Sequence, residues 1–140
     1  MPTPSRGTSR SRSKYVYYAH AMCIYRRREE RDQLRVIRQG FRKFRIVNPA
    51  VYDGHPEKLA DTIGFCLRLV EASDMVVYSR LLGKITAGVG KEINHALRKG
   101  KPVFEVSGRR LIRRTRRVSY ISRRATISLY ERWRYLQCDW

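Results

Sequence analysis

Short apolar runs and longer amphipathic stretches alternate through residues 14–107. Residues 15–19, 44–47 and 75–79 are rich in β-branched and aromatic side chains, which favour strands, and a fourth strand is predicted to end at Val106. The stretches between these runs have helical spacing. Strands separated by helices predict a parallel sheet with right-handed crossovers and helices on both faces. We therefore expect a single-domain α/β protein, a flavodoxin- or Rossmann-like three-layer sandwich.

The first two helices are marked by apolar spacing and by residues suited to helix ends. The first is predicted over residues 25–39, with Gly40 closing it and an inner side formed by Leu34, Ile37 and Phe41. Pro56 suits the first turn of the second helix. The apolar stripe predicted for that helix consists of Leu59, Ile63, Leu67 and Val70.

A glycine-rich segment precedes the third helix. Residues 82–90 show no periodicity and contain three glycines, so they are predicted to form a loop. Helical spacing resumes at Ile93, and Gly100 stands where a left-handed C-terminal cap is expected. Glu92 would then open the helix at the mouth of a crevice of phosphate or sugar size. In such sheets ligands bind beyond the carboxyl ends of the strands, so the segments after the first and third strands are expected to meet there.

The C-terminal third of the chain has its own pattern. Leu111-Ile112 and residues 118–121 resemble two short strands, and Ser122 is placed to cap a last helix. The apolar stripe of this helix consists of Ile127, Tyr130, Trp133 and Leu136. Burial against the core is the commoner fate of such a stripe, and stacking on nucleic-acid bases is the alternative.

Charge changes this picture, because the chain has 31 Lys and Arg against 12 Asp and Glu, a formal net charge of +19 and a pI of about 10.8. A surface this basic attracts polyanions. Residues 14–107, the α/β core, have 18 basic and 10 acidic residues, whereas residues 108–140, a basic extension, have 10 and 2. Residues 1–13 cannot bury enough apolar surface to fold and are expected to be a disordered basic arm.

Two groups of arginines are candidates for contact with the phosphates of DNA or RNA. The first group is in the arm and consists of Arg6, Arg10 and Arg12. The second group is in the extension and consists of Arg109, Arg110, Arg113, Arg114, Arg116 and Arg117. The structural alternatives are a solubilising tail and a solvated basic face.

Other classes of site are disfavoured. Cys23, Cys66 and Cys138 have no metal-type spacing and the three histidines are scattered, so we expect no metal site, no disulfide framework and no cofactor. The unpatterned cysteines fit a reducing cytoplasm, and Cys66 is expected to be buried on an apolar helix face. No window resembles a secretory signal or a membrane span, so no membrane partner is expected.

Three short segments, taken in order, resemble the nucleoside 2-deoxyribosyltransferase-like family, whose relatives include nucleotide N-glycoside hydrolases. These segments are Tyr17-Tyr18-Ala19-His20-Ala21-Met22, Ala72-Ser73-Asp74-Met75-Val76-Val77 and Thr86-Ala87-Gly88-Val89-Gly90-Lys91-Glu92-Ile93. The resemblance covers about residues 14–107 and is closest in the last segment, which is similar to the family's glycine-then-glutamate signature.

The resemblance implies that Glu92 is a nucleophile. It would attack the anomeric carbon of a nucleoside or nucleotide and form a covalent glycosyl intermediate, which water or a second base then takes. Tyr17 is expected to orient Glu92, and Thr86 to bind a sugar hydroxyl or a phosphate. Gly88 and Gly90 let the backbone approach the substrate closely. The alternative role for Glu92 is structural, since a glutamate in a first turn stabilises its own helix.

The chain departs from the family at identifiable positions. Arg68 lies where the family has an acidic residue that handles the nucleobase proton, and arginine is no acid near neutrality. His20 replaces a glycine after the first strand and is a candidate proton donor, with a structural or substrate-contacting role as the alternative. Arg80 and Lys84 are candidate phosphate ligands. Related enzymes oligomerise, so a homo-oligomer is expected, with residues 108–140 packed on the core or on a neighbouring subunit.

Two functions remain open at this point. One is transfer or hydrolysis at an N-glycosidic bond, and the other is nucleic-acid binding on the same fold after loss of the chemistry. Glu92, Thr86 and Tyr17 favour the enzyme. Arg68, the altered first turn and the charge of +19 favour the binding protein.

Overall fold

The computed structural model describes residues 13–138, which form one five-stranded sheet with helices on both faces. The strands are β1 (Lys14–Ala19), β2 (Phe44–Val47), β3 (Met75–Tyr78), β4 (Val103–Ser107) and β5 (Arg110–Arg114). The helices are α1 (Arg28–Gly40), α2 (Pro56–Ala60), α3 (Thr62–Ala72), α4 (Ala87–Arg98) and α5 (Arg123–Leu136). Short 3-10 helices lie at Met22–Ile24 and Pro49–Tyr52. The predicted basic arm lies outside the described residues except for its last position.

The sheet has the strand order β2-β1-β3-β4-β5. β1, β2, β3 and β4 are parallel, as the alternation of strands and helices predicts. β5 runs antiparallel to β4, which it follows through a hairpin at Gly108. The two residues between these strands are too few for a crossover, so the predicted parallel sheet has one antiparallel edge strand.

The core lies on both faces of the sheet because side chains alternate along each strand. Tyr17 and Val76 face α3 and α4, whereas Tyr18 and Val77 lie on the face covered by α1. All four residues of β3 are buried, as expected for an inner strand. The fold therefore has three layers, with the sheet between two layers of helices.

The predicted second helix is two helices, which corrects its apolar stripe. The chain leaves helical geometry at Asp61, whose carboxylate accepts a hydrogen bond from the Gly64 N–H and caps α3. Val70 is buried as predicted, but Leu59 lies on the separate helix α2 and is 72% exposed. Cys66, expected on the buried side, is buried.

Helix α4 begins five residues before Glu92, so Gly88 and Gly90 are helical and the prediction of a loop there is wrong. Gly90 is required by packing, since a Cβ atom at this position would lie 2.2 Å from the ring of Tyr120. The helix ends as predicted, with Gly100 in the left-handed region at φ 72°.

The C-terminal segment follows an extended path along α4 before α5 begins. The backbone of Val118 exchanges two hydrogen bonds with the Asn94 side chain, so residues 118–121 are held without joining the sheet and are not the predicted strand. Ser122 caps α5 as expected. The buried stripe of α5 is Thr126, Leu129 and Trp133, whereas Ile127 and Leu136 of the predicted stripe are exposed.

Candidate functional site

A cavity of about 50 Å³ lies beyond the carboxyl ends of β1 and β3, where the strand order reverses. The segments after these two strands meet here, as expected, and contribute His20 and Thr86. α3 and α4 form further walls, and Tyr130 of α5 closes one side. The cavity therefore collects side chains from distant parts of the chain.

Glu92 is the one carboxylate among the described residues that line this cavity. It occupies the second turn of α4 and is 6% exposed, so the alternative that it stabilises the helix from a first turn is wrong. The Tyr17 hydroxyl donates a 2.9 Å hydrogen bond to Glu92 Oε2. Sequence reasoning paired these two residues correctly, although they are 75 positions apart.

The electrostatics of the pair follow from burial. Burial raises the pKa of Glu92 to about 7, and the hydrogen bonds from Tyr17 and Cys66 and the charge of Lys58 offset part of this rise. Near neutral pH the carboxyl group is therefore divided between its protonated and ionised forms. Burial, followed by the charge of Glu92, raises the pKa of Tyr17 well above its usual value, so its hydroxyl remains a donor.

The sequence analysis did not identify Lys58, a buried cation whose charge acts on Glu92. Lys58 of α2 is 3% exposed, and its Nζ donates a 2.9 Å hydrogen bond to the Pro49 carbonyl. The same Nζ lies 4.9 Å from the centre of the ring of Tyr25, which lines the cavity. Lysine is rarely buried, and this one has a carbonyl and an aromatic face as partners. The spacing of residues in the sequence does not predict Lys58 or Tyr25 as neighbours of Glu92, because only the tertiary fold brings them together.

Cys66 and Tyr130 also line the cavity, and neither was predicted as a site residue. Burial raises the pKa of Cys66 to about 11, so its thiol is protonated at neutral pH. Tyr130 accepts a 3.2 Å hydrogen bond from the Met22 N–H. Another residue of α5, Thr126, accepts a 2.9 Å hydrogen bond from the Ala87 N–H at the start of α4. α5 is thus tied to both loops of the site.

Thr86 and Gly88, which the sequence analysis names as candidate substrate-binding residues, lie at the start of α4 and line the cavity. Thr86 is 2% exposed, and its Oγ1 has no hydrogen-bond partner within the described part of the chain. Such buried unpaired hydroxyls are rare in folded proteins. Gly90 lies outside the cavity lining and packs against Tyr120 instead.

His20 lines the cavity with both ring nitrogens engaged. Nδ1 lies 2.9 Å from the Tyr18 carbonyl oxygen, and Nε2 lies 2.8 Å from Oε2 of the buried Glu30. The ring stacks on Tyr18 with centroids 3.7 Å apart. This arrangement leaves His20 no free nitrogen for a nucleobase.

The other predicted substrate contacts lie away from the cavity lining. Arg68 is exposed and lies over the ring of Phe65, whereas Cys66, two residues earlier on α3, lines the cavity. Arg80 binds the carboxylate of Glu105 at 3.0 Å. Lys84 is exposed in the turn after β3.

Of the predicted nucleic-acid contacts, those in the extension surround β5. Arg109 lies in the hairpin, Arg110, Arg113 and Arg114 lie on the strand, and Arg116 and Arg117 follow it. Those of the arm, Arg6, Arg10 and Arg12, lie outside the described residues.

Comparison with family models, with curated proteins and with solved structures finds no match to this chain. Of the helices between residues 13 and 138, none combines the length and the apolarity needed to cross a bilayer. Within the same part of the chain, no three His, Cys, Asp or Glu side chains are grouped so that they could hold a metal ion.

Proposed function

We propose that this protein cleaves or transfers the N-glycosidic bond of a nucleoside or nucleotide, with Glu92 as the nucleophile. The observation that carries the proposal is the buried Glu92–Tyr17 pair, 2.9 Å apart, at the edge of the sheet where ligands of α/β proteins bind. The order β2-β1-β3-β4 is also that of flavodoxin, which binds a flavin nucleotide at the reversal between β1 and β3. A pKa of about 7 keeps part of Glu92 ionised at neutral pH and therefore able to attack.

The reaction has two displacements at the anomeric carbon. In the first, a carboxylate oxygen of Glu92 forms a bond to C1′ while the bond from C1′ to the base nitrogen breaks, and the electron pair leaves with the base. In the second, water or another base attacks C1′, loses a proton and releases the Glu92 carboxylate. Tyr17 holds the carboxylate in place and stabilises its charge by hydrogen bonding.

The departing base needs a proton, and the cavity is poor in acids. His20 has no free nitrogen, and Arg68 lies outside the lining. The remaining acidic hydrogens belong to Cys66, Tyr25 and Tyr130, and burial raises the pKa of all three. Weak acids give little assistance at neutral pH, so we expect the enzyme to favour bases that leave with little proton transfer.

Thr86 and Gly88 are the proposed contacts to the sugar or its 5′-phosphate. The unpaired Thr86 Oγ1 supplies a hydrogen-bond donor and acceptor inside the cavity. The start of α4 adds the positive end of the helix dipole, which favours an anionic group.

Substrate binding requires the site to open. Pockets for small molecules usually have volumes of roughly 300 Å³ or more, whereas this cavity has about 50 Å³, enough for a water molecule or two. We assign the opening to α5, because it covers the loop after β1 through Leu129 and Trp133 and contributes Tyr130 to the cavity wall. Closure of α5 over the substrate would then exclude water from the reaction.

The test is nucleobase release from nucleosides and 5′-monophosphates, with and without an acceptor base. A 4-nitrophenyl 2-deoxyriboside joins the panel because its leaving group departs without a proton. Glu92→Gln should abolish release, whereas Glu131→Gln, which removes an exposed carboxylate of α5, should leave it unchanged. Dependence on the acceptor distinguishes transferase from hydrolase. The proposal fails if folded, nucleic-acid-free protein releases nothing, or if Glu92→Gln remains active.

A further inference from the structure

Another concave surface lies near the β5 edge of the sheet. It is a groove of about 370 Å³ between the end of β3, the end of β5 and the segment that follows β5. Five arginines line it, and we call it the arginine groove: Arg80, Arg113, Arg114, Arg116 and Arg117. The proposed glycosidic chemistry makes no use of it.

Two of the five guanidinium groups, those of Arg80 and Arg114, are held by the fold. Buried Glu105 accepts hydrogen bonds from Tyr78 at 2.8 Å, from Arg80 at 3.0 Å and from Arg114 at 3.1 Å. Asn94 fixes the backbone of Val118 immediately after the last arginine. The groove is therefore a preformed surface, and ligand binding costs little ordering of its backbone.

The groove retains a large positive charge after internal pairing. One carboxylate, Glu105, sits among five guanidinium groups, which leaves a net charge of +4. Within residues 13–138, no carboxylate forms an ion pair with Arg113, Arg116 or Arg117. Like charges gathered in one groove repel one another, and a bound polyanion removes that cost.

Protection of the sheet edge explains only part of this cluster. Charged side chains on an edge strand prevent pairing with other chains, which accounts for the arginines of β5 itself. Arg116 and Arg117 lie beyond the strand, and Arg80 follows β3, so edge protection does not require them. Residues 113–117 span at most about 17 Å, a length that reaches more than one phosphate of a nucleic-acid strand.

We propose that the arginine groove binds the sugar-phosphate backbone of a nucleic-acid strand. The fork of each guanidinium group matches the oxygens of a phosphate, and several such contacts in a row select a polymer over a single nucleotide. This surface is separate from the Glu92 cavity, and the proposal does not depend on the glycosidic chemistry.

The test compares two charge-matched double variants of the full chain. Arg116→Gln with Arg117→Gln removes two charges from the groove, and Lys43→Gln with Arg45→Gln removes two exposed charges at the start of β2, on the opposite edge of the sheet. Binding of a labelled 20-nucleotide single strand, as DNA and as RNA, is measured by fluorescence anisotropy at several salt concentrations. The groove variant should bind at least about tenfold more weakly and lower the salt slope by about 1.4, whereas the control should change affinity less than about threefold.

Weaker binding by the groove variant than by the control, with DNA or with RNA, supports the proposal. Binding that persists in Glu92→Gln separates this surface from the cavity. If both double variants weakened binding equally, the loss of affinity would follow from net charge alone, and the proposal would be overturned. Stronger binding of polyglutamate or of anionic phospholipid vesicles than of either strand would overturn it too.

Discussion

The hydroxyl of Tyr17, in the middle of β1, donates a 2.9 Å hydrogen bond to Glu92 Oε2 in the second turn of α4. Both residues are almost fully buried, so a polar contact joins the strand to the helix inside a largely apolar layer. Burying a carboxyl group costs free energy unless it is protonated or well paired. The pH dependence of both stability and activity should therefore report on this contact.

The stability of the folded protein should fall as the pH rises from about 4.5 to about 7. Burial raises the pKa of Glu92 from its ordinary value of 4.5 to about 7, so the folded state binds a proton that the unfolded state has lost over this range. The two values differ by about 2.5, which corresponds to about 3 kcal/mol. Denaturant unfolding at pH 4.5 and 8 should show this loss in the wild type relative to Glu92→Gln, and parallel curves for the two proteins would contradict it.

Tyr17→Phe should move the pH profile of catalysis upward. The ionised form of Glu92 is the nucleophile, so kcat/KM should rise with pH through a midpoint near 7 in the wild type. The hydrogen bond from Tyr17 lowers the pKa of Glu92, and its removal should raise the midpoint. Each unit of movement lowers the rate on the acid side about tenfold. Tyr15→Phe, on the exposed end of β1, is the control and should leave the midpoint in place.

Lys58→Met should also raise the midpoint of the pH profile of kcat/KM, by less than Tyr17→Phe does. The charge of Lys58 lowers the pKa of Glu92, and this effect is smaller than that of the Tyr17 hydrogen bond. The Pro49 carbonyl also loses its partner, at a cost of about 1 kcal/mol of stability. Lys91→Met removes an exposed charge of α4 for comparison. A midpoint that stays in place in Lys58→Met would show that the lysine serves the fold alone.

Two glycines of α4 should respond differently to alanine. At Gly90 a Cβ atom would lie 2.2 Å from the Tyr120 ring, so Gly90→Ala should destabilise the fold by about 1–3 kcal/mol. At Gly88 it would lie 3.7 Å from Ile63 Cδ1, an ordinary contact, so Gly88→Ala should keep or slightly raise stability. The methyl group added by Gly88→Ala narrows the cavity, so kcat/KM of this variant should fall about tenfold or more. Thermal melts and kinetics of both variants check this contrast, and an unstable Gly88→Ala would contradict it.

Much of the fold could be predicted because local signals and packing agree. The apolar runs of β1, β2 and β3 and the ends marked by Pro56, Gly100 and Ser122 fall where the sequence predicts them. The start of α4 could not be predicted, because Gly88 and Gly90 lower the helix propensity of this segment. Only packing against residues such as Tyr120 favours a helix there. The break at Asp61 was hidden too, because apolar spacing continues across it.

The candidate site was predictable only in part. Glu92, Tyr17 and Thr86 lie in the short segments on which the family resemblance rests, so the sequence alone was enough to select them. Lys58 lies behind Tyr25 of the cavity wall and Tyr130 lines the cavity, through the packing of α2 and α5, which no spacing in the sequence encodes. His20 is not free to act as a proton donor, because the carboxylate of Glu30 is hydrogen-bonded to one of its ring nitrogens. Contacts between residues far apart in sequence thus decided which predicted side chains are available for chemistry.

The proposed mechanism requires a carboxylate oxygen of Glu92 to form a covalent bond to the anomeric carbon. A 2′-deoxy-2′-fluoro nucleoside tests it most directly, because the fluorine destabilises the oxocarbenium-like transition states and slows breakdown of the intermediate. Mass spectrometry of the protein after incubation should show one added fluoropentosyl group, mapped by peptide digestion to Glu92 and absent in Glu92→Gln. Base release without an adduct, or an adduct on another residue that persists in Glu92→Gln, would contradict the claim.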